Sequence, residues 1–315
     1  MRLRVLIEPR HGATYERILR IAQVTERVGF EGFFRSDHYL GIDAADPDYL
    51  PTDSWTTLAG LARETEHVLL GTLVTAATFR RPGVLAITVA SVDQMSGGRV
   101  CLGIGTGWYE REHESFGIPF PALGERFDLL EEQLEVLKGL WTTPPGERFS
   151  FAGRHVQIDR CANFPSLVQK PHPPIIIGGS GPRRTPTLAA RHAREFNGAI
   201  GEGLAERFAN VRRICERLGR DPATLELSAT LPVVCGSTRA EAQARLERLG
   251  PPGRRLLAHG VCGDVGEVLA CLERQAQAGA EIVYFHIYDI DDLEQIELLG
   301  TEVLPAAREI EPAAP

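Results

Sequence analysis

The chain has 315 residues and a formal net charge of −8. That length suits one large α/β barrel or two medium domains, with about 75% of the unfolded surface buried on folding. The acidic balance, with Lys and Arg scattered rather than clustered, makes nucleic acid and anionic membrane surfaces unsuitable partners. Six cysteines (Cys101, Cys161, Cys215, Cys235, Cys262 and Cys271) form no CxxC pair. They read as reduced thiols of a cytoplasmic protein, without a structural zinc site. The opening MRLRVLIEPR reads as a first strand, not a signal peptide, and no apolar run approaches the ~20 residues that span a membrane.

In chain order, Leu3 to Ile7 predicts strand one. A helix follows from about Tyr15 to Val28, with Ile18, Ile21, Ala22, Thr25 and Val28 on one face, and Gly29 ends it. Phe30 to Phe34 predicts strand two, which runs into Arg35-Ser36-Asp37-His38. The loop Tyr39 to Pro51 is expected to lie over one rim. Thr52-Asp53-Ser54 offers an N-cap for a helix to about Thr65. Val68 to Val74 is strand three, followed by Thr75 and then a helix from Pro82 to about Met95. Gly97-Gly98 ends that helix, and Arg99 to Ile104 is strand four. It leads into Gly105-Thr106-Gly107-Trp108-Tyr109 and the charged group Glu110 to Glu114, before a long helix from about Leu123 to Trp141.

Thr142 to Pro174 breaks this rhythm, with a hairpin predicted from Phe149 to Ile158 turning at Gly153. It reads as an excursion, not a second domain. Ile175 to Ile177, between prolines and glycines, predicts strand five, buried on both faces. Gly178-Gly179-Ser180-Gly181 follows, and Pro182 opens a helix. Strand, glycine turn and helix start together offer backbone N–H groups to an anion such as phosphate. An ordinary tight connection has the same residues. Glu195 to Ile200 is strand six, Leu225 to Val234 strand seven and Glu281 to Ile287 strand eight. Helices are predicted from Leu204 to Leu218, from near Thr238, from Val265 to Ala278 and to about Leu304; the segment from about 248 to 262 is irregular.

Eight strands alternating with helices predict a (β/α)8 TIM barrel, one domain over residues 1–315 with an insertion at about 142–174. In such barrels the chemistry sits at the C-terminal strand ends. Asp37-His38, Thr75, Gly105-Thr106-Gly107 and Gly178 to Gly181 all fall there. An open doubly wound sheet is the alternative, but its GxGxxG after strand one is missing.

Several stretches resemble the bacterial luciferase-like monooxygenase superfamily, most of all its branch that uses the deazaflavin coenzyme F420. They are Ser36-Asp37-His38, Leu70 to Thr75, Asp93-Gln94-Met95-Ser96-Gly97-Gly98-Arg99, Leu102 to Trp108, Glu110 and Glu112, and Ile177 to Gly181 with Arg183-Arg184-Thr185. The resemblance covers nearly the whole chain. It implies a luciferase-like barrel, a homodimer, and a flavin-like ring across the strand ends with its phosphate at Gly178, Gly179, Ser180 and Gly181. It also implies a non-prolyl cis peptide behind the ring, at Leu73–Val74.

His38 is the candidate for acid–base work, since a His at a strand end exchanges protons near neutral pH. A cofactor contact or a structural role are its other readings. Asp37 orients His38, contacts the ring or fixes a loop. Leu73, Val74 and Thr75 back the cofactor or are plain core. Gly105, Thr106 and Gly107 admit a ligand closely or make a tight turn. Trp108 and Tyr109 pack on the ring, wall the pocket or bury area. Glu110 is an alternative acid or a solvated helix-start carboxylate. In one deazaflavin dehydrogenase subgroup a Glu directly follows Gly-Thr-Gly, where this chain has Trp108. Arg183 and Arg184 are candidate phosphate partners, with one of the two expected to point to solvent. His113, His155 and His172 have no companion at metal-ligand spacing. The sequence therefore points to hydride transfer between F420 and a small organic substrate. The alternatives are an FMN-dependent monooxygenase and a non-catalytic flavin-binding barrel. The substrate pocket is expected from the loops Tyr39–Pro51, Thr142–Pro174 and Arg248–Val261.

Overall fold

The computed structural model describes residues 1–9, 12–41, 52–162, 165–199, 201–250 and 257–313. Eight parallel strands close into a barrel: β1 (Arg2–Ile7), β2 (Gly32–Arg35), β3 (Leu69–Thr72), β5 (Val100–Gly105), β8 (Ile175–Gly178), β9 (Glu195–Asn197), β10 (Glu226–Gly236) and β12 (Ile282–Ile287). β1 pairs with both β2 and β12, and β9 with β10, so the ring has no open edge. This is the (β/α)8 barrel that the alternation predicts. The short β4 (Thr75–Ala76) continues the third strand against β5. β11 (Val261–Asp264), which begins at the end of the segment read as irregular, pairs with the outer half of β10.

Between sheet and helices lies an apolar layer that includes Val5, Phe33, Leu102, Ile177 and Phe285. The barrel interior is mixed. Leu6, Phe34, Cys101 and Ile176 pack there with Tyr284. The buried Arg4 donates to Glu31 at 2.6 Å and Glu195 at 2.7 Å. A buried guanidinium survives only when paired in this way. β3 and β5 approach so closely that a Cβ on Gly103 would stand 2.0 Å from the Thr72 carbonyl.

The Asp93-to-Arg99 motif has a structural explanation. α3 (Pro82–Ser96) ends at Gly97, in the left-handed conformation with φ 68°. Arg99 then donates to the carbonyls of Ala62, Thr65, Val68 and Ser96, capping the end of α2 (Ser54–Glu64). Asp93 accepts from the backbone of Val168 at 2.7 Å and Gln169 at 3.2 Å, tying the excursion back to the barrel.

That excursion carries an antiparallel hairpin, β6 (Phe149–Ala152) with β7 (Gln157–Cys161). Glu132 on α5 (Leu123–Thr142) accepts from the N–H groups of Arg154, His155 and Val156 at its turn. A further helix, α4 (Glu110–Ser115), lies between β5 and α5.

Candidate active site

The C-terminal strand ends open onto a cavity of about 650 Å³. Asp37 and His38 after β2, Gly105, Thr106 and Gly107 after β5, and Gly178, Gly179, Ser180 and Gly181 after β8 all line it. Turns far apart in sequence therefore share one cleft. Leu73 and Val74 line it too, and the peptide joining them is cis. Val74 is bracketed by glycines: a Cβ on Gly103, Gly105 or Gly178 would lie 3.2, 3.0 or 3.3 Å from its methyl groups. The result is a stretch of bare backbone with room for a flat ring. At the next turn, Gly179 has φ 147°, and a Cβ there or on Gly181 would crowd Thr185 at 3.2 or 3.0 Å. Bare backbone before a helix, here α6 (Arg184–His192), suits the anionic tail of a cofactor.

His38 is held by Glu112, not by Asp37. Its Nδ1 lies 3.0 Å from the Glu112 carboxylate, which has no solvent exposure. The other Glu112 oxygen accepts from the backbone N–H groups of Tyr39 and Leu40. A carboxylate that accepts from two amides also accepts from Nδ1–H, so Nε2 is the bare nitrogen of the neutral ring. Trp108, 59% exposed, meets His38 edge to face at 5.7 Å between ring centroids.

Asp37 is fixed from behind. Arg80 pairs with it, with Asp53 and with the Tyr39 hydroxyl. Thr75 donates to Asp37 at 2.8 Å and accepts from the Trp55 indole at 3.1 Å. Burial pushes the Tyr39 phenol well up, with Asp37 adding to it. Burial also lowers the neighbouring Arg35 guanidinium to about 10, since its hydrogen-bond partners, Thr52, Thr57 and the Ser36 carbonyl, are all uncharged.

Five residues singled out in the sequence do not line the cavity. Thr75 is buried behind Asp37. Tyr109 stacks on Trp108 and donates to the Gly41 carbonyl. Glu110 is exposed on the first turn of α4, and the carboxylate that reaches the site is Glu112, half a helical turn on. Arg183 is exposed at the N-cap of α6, and Arg184 turns to Asp128 and Glu131. Among the described residues of 142–174, none lines the cavity; Trp108, Leu123, Phe127 and Leu130 form that wall instead. Residues 42–51 and 251–256, from the other two expected loops, lie outside the described residues.

Residues 1–302 match the family described as luciferase-like monooxygenase. The chain belongs to that family. Among luciferase-like relatives, an F420-dependent hydroxymycolic acid dehydrogenase of Mycobacterium tuberculosis is 31% identical, covering 93% of this chain and 85% of that protein. An F420-dependent glucose-6-phosphate dehydrogenase of Microbacterium testaceum is 36% identical, over 57% of this chain and 51% of that one. An FMNH2-dependent dimethylsulfone monooxygenase of Pseudomonas putida is 28% identical, over 73% and 61%. A solved F420-dependent secondary alcohol dehydrogenase shares the fold, with a TM-score of 0.83 at 19% identity over 98% of this chain and 99% of that one. The chain is thus a luciferase-like oxidoreductase or monooxygenase.

Other residues of this luciferase-like cavity were not assigned to it from the sequence. His113 lines it with both ring nitrogens engaged, Nε2 by Thr78 at 2.7 Å and Nδ1 by the Tyr109 carbonyl at 2.8 Å. Glu8 from the end of β1 and His286 from β12 line the cavity beside Ser36. Both sit at strand ends, which is the positional signal that could have found them. No group of three metal-ligating side chains occurs among the described residues, nor does any helix long and apolar enough to cross a membrane.

Proposed function

We propose that this chain moves a hydride between coenzyme F420 and a carbon of a small organic alcohol or carbonyl compound. The observation that carries the reading is His38, held by the buried Glu112 with Nε2 as its bare nitrogen, in the same cavity as the glycine-bracketed Val74. When bound, the deazaflavin supplies a two-electron acceptor or donor for hydride. His38 takes the hydroxyl proton as an alcohol's C–H bond breaks and C=O forms, or returns it in the reverse direction. Glu112 keeps the imidazole in the tautomer that can accept that proton. Gly105, Thr106 and Gly107 give the ring its close approach, and Gly178, Gly179, Ser180 and Gly181 hold its tail. The relative of 31% identity that covers most of the chain, named as F420-dependent, supports this choice of cofactor.

The similarity to the FMNH2-dependent monooxygenase favours a second reading, FMN with oxygen on the same bed. Fluorescence titration of the purified protein with F420 and with FMN separates the two. F420 binding at least tenfold tighter than FMN is expected. The reverse order supports the monooxygenase, and binding of neither removes both. A cytoplasmic homodimer belongs to the same proposal, and sedimentation tests the dimer.

A further inference from the structure

His286 sits on β12 with 5% of its surface exposed, and that surface faces the cavity. β1 runs alongside in register, pairing Leu6 with His286, so the end of β1 brings Glu8 beside the imidazole. Nδ1 of His286 lies 3.1 Å from the Tyr288 hydroxyl. Nε2 lies 3.3 Å from a Glu8 oxygen but off the hydrogen-bond direction, and it is a buried nitrogen with no hydrogen-bond partner. The other Glu8 oxygen accepts from Ser36 at 3.3 Å. The carboxylate neighbour favours the proton on Nε2, which leaves Nδ1 to accept from the Tyr288 hydroxyl. His38 thus offers an acceptor to the cavity, and His286 an N–H donor beside an acceptor.

A buried donor left unmet costs free energy, so such an atom marks a place where a partner belongs. A donor and a carboxylate 3.3 Å apart suit a hydroxyl, which accepts from one and donates to the other. We propose that His286 and Glu8 hold a second hydroxyl of the substrate, apart from the group that reacts at His38, so that the preferred substrates are diols or larger polyhydroxylated molecules. This rests on the reading of the cavity as a substrate site. A site built to hydrogen-bond a hydroxyl discriminates strongly against the analogue that lacks it.

The test uses cyclohexanol and its 1,2-, 1,3- and 1,4-diols, which set two hydroxyls at graded separations. Binding to the intact protein is followed by ligand-observed NMR, with no turnover required. At least one diol should bind ten-fold or more tightly than cyclohexanol. Glu8→Gln and His286→Phe should each bring that ratio to within two-fold while thermal unfolding stays in place. If His286→Phe does not fold, Glu8→Gln alone decides. Equal binding of all four probes to the wild type, or a diol advantage that survives in both folded variants, overturns the proposal. The same samples titrated with F420 and FMN keep the two readings distinct. Loss of cofactor binding by the wild type counts against the hydride-transfer reading, whereas the diol ratio is read on the cavity itself.

Discussion

Glu112 and His38 are joined at 3.0 Å, a fully buried carboxylate against the Nδ1 of a ring that lines the cavity. Glu112→Gln keeps the shape and the acceptor for the Tyr39 and Leu40 amides, but turns an amide donor toward Nδ1. The proton then moves to Nε2, and the ring loses its base. The expected loss in kcat is about 10²–10⁴-fold, with F420 affinity within threefold of wild type. Spectra of protein labelled with nitrogen-15 histidine read the tautomer directly. An unchanged Nδ1–H signal for His38 would mean that Glu112 does not set it.

Arg80 is the sole cation that an ion pair gives Asp37 among the described residues. Arg80→Met leaves that carboxylate buried and uncompensated, and about 3–5 kcal/mol of stability should go. Pairing it with Asp37→Asn should recover more than half of the loss, because the orphaned charge is then removed as well. Urea unfolding of the two single variants and the double variant closes the cycle.

Three glycines give graded outcomes. Gly103→Ala would drive a methyl to 2.0 Å from the Thr72 carbonyl, which only a shift of β3 can relieve, so folding should fail or lose more than about 3 kcal/mol. Gly179→Ala forces φ 147° on an L residue at a cost of about 1–3 kcal/mol, and should weaken cofactor binding at least tenfold. Gly124→Ala, in the first turn of α5 with open space at its Cβ, should gain about 0.4–1 kcal/mol. Melting temperatures of the three rank them.

Acid should weaken the fold through His192. Burial, then Lys138 and Arg191, lower this imidazole to about 4 from the ordinary 6.5. Between those values the unfolded chain binds a proton that the folded chain refuses. Stability from this group is therefore whole above about pH 6.5 and falls as pH drops toward 4. Partial exposure trims the effect to roughly 1–2 kcal/mol by pH 4.5. His192→Gln should lose that much less between pH 7 and pH 4.5 in urea unfolding. Equal losses for variant and wild type would exclude the mechanism.

The barrel was legible because several of its strands are short apolar runs closed by Gly, Pro or a polar cluster, as at Ile175–Ile177. The glycine turns were legible because bare backbone has a sequence symbol. The partner of His38 was not, since Glu110, Arg111, Glu112, His113 and Glu114 are all polar and no apolar stripe fixes which of them turns inward. β11 escaped because Val261–Asp264 is short and belongs to an extension of β10 beyond the ring. The Glu8–His286 contact joins residues at opposite ends of the chain, and only barrel closure brings them together.

Two carboxylates clip the excursion after α5 to the barrel, Glu132 on the amides of the β6–β7 turn and Asp93 on those of Val168 and Gln169, and Val156 and Leu167 are buried in the main apolar core. Neither clip touches the mouth of the barrel. The excursion is therefore anchored in the core yet stands apart from the cavity. A reporter peptide spliced in at the exposed Gly146 would ride on the scaffold while the chemistry at the strand ends proceeds undisturbed.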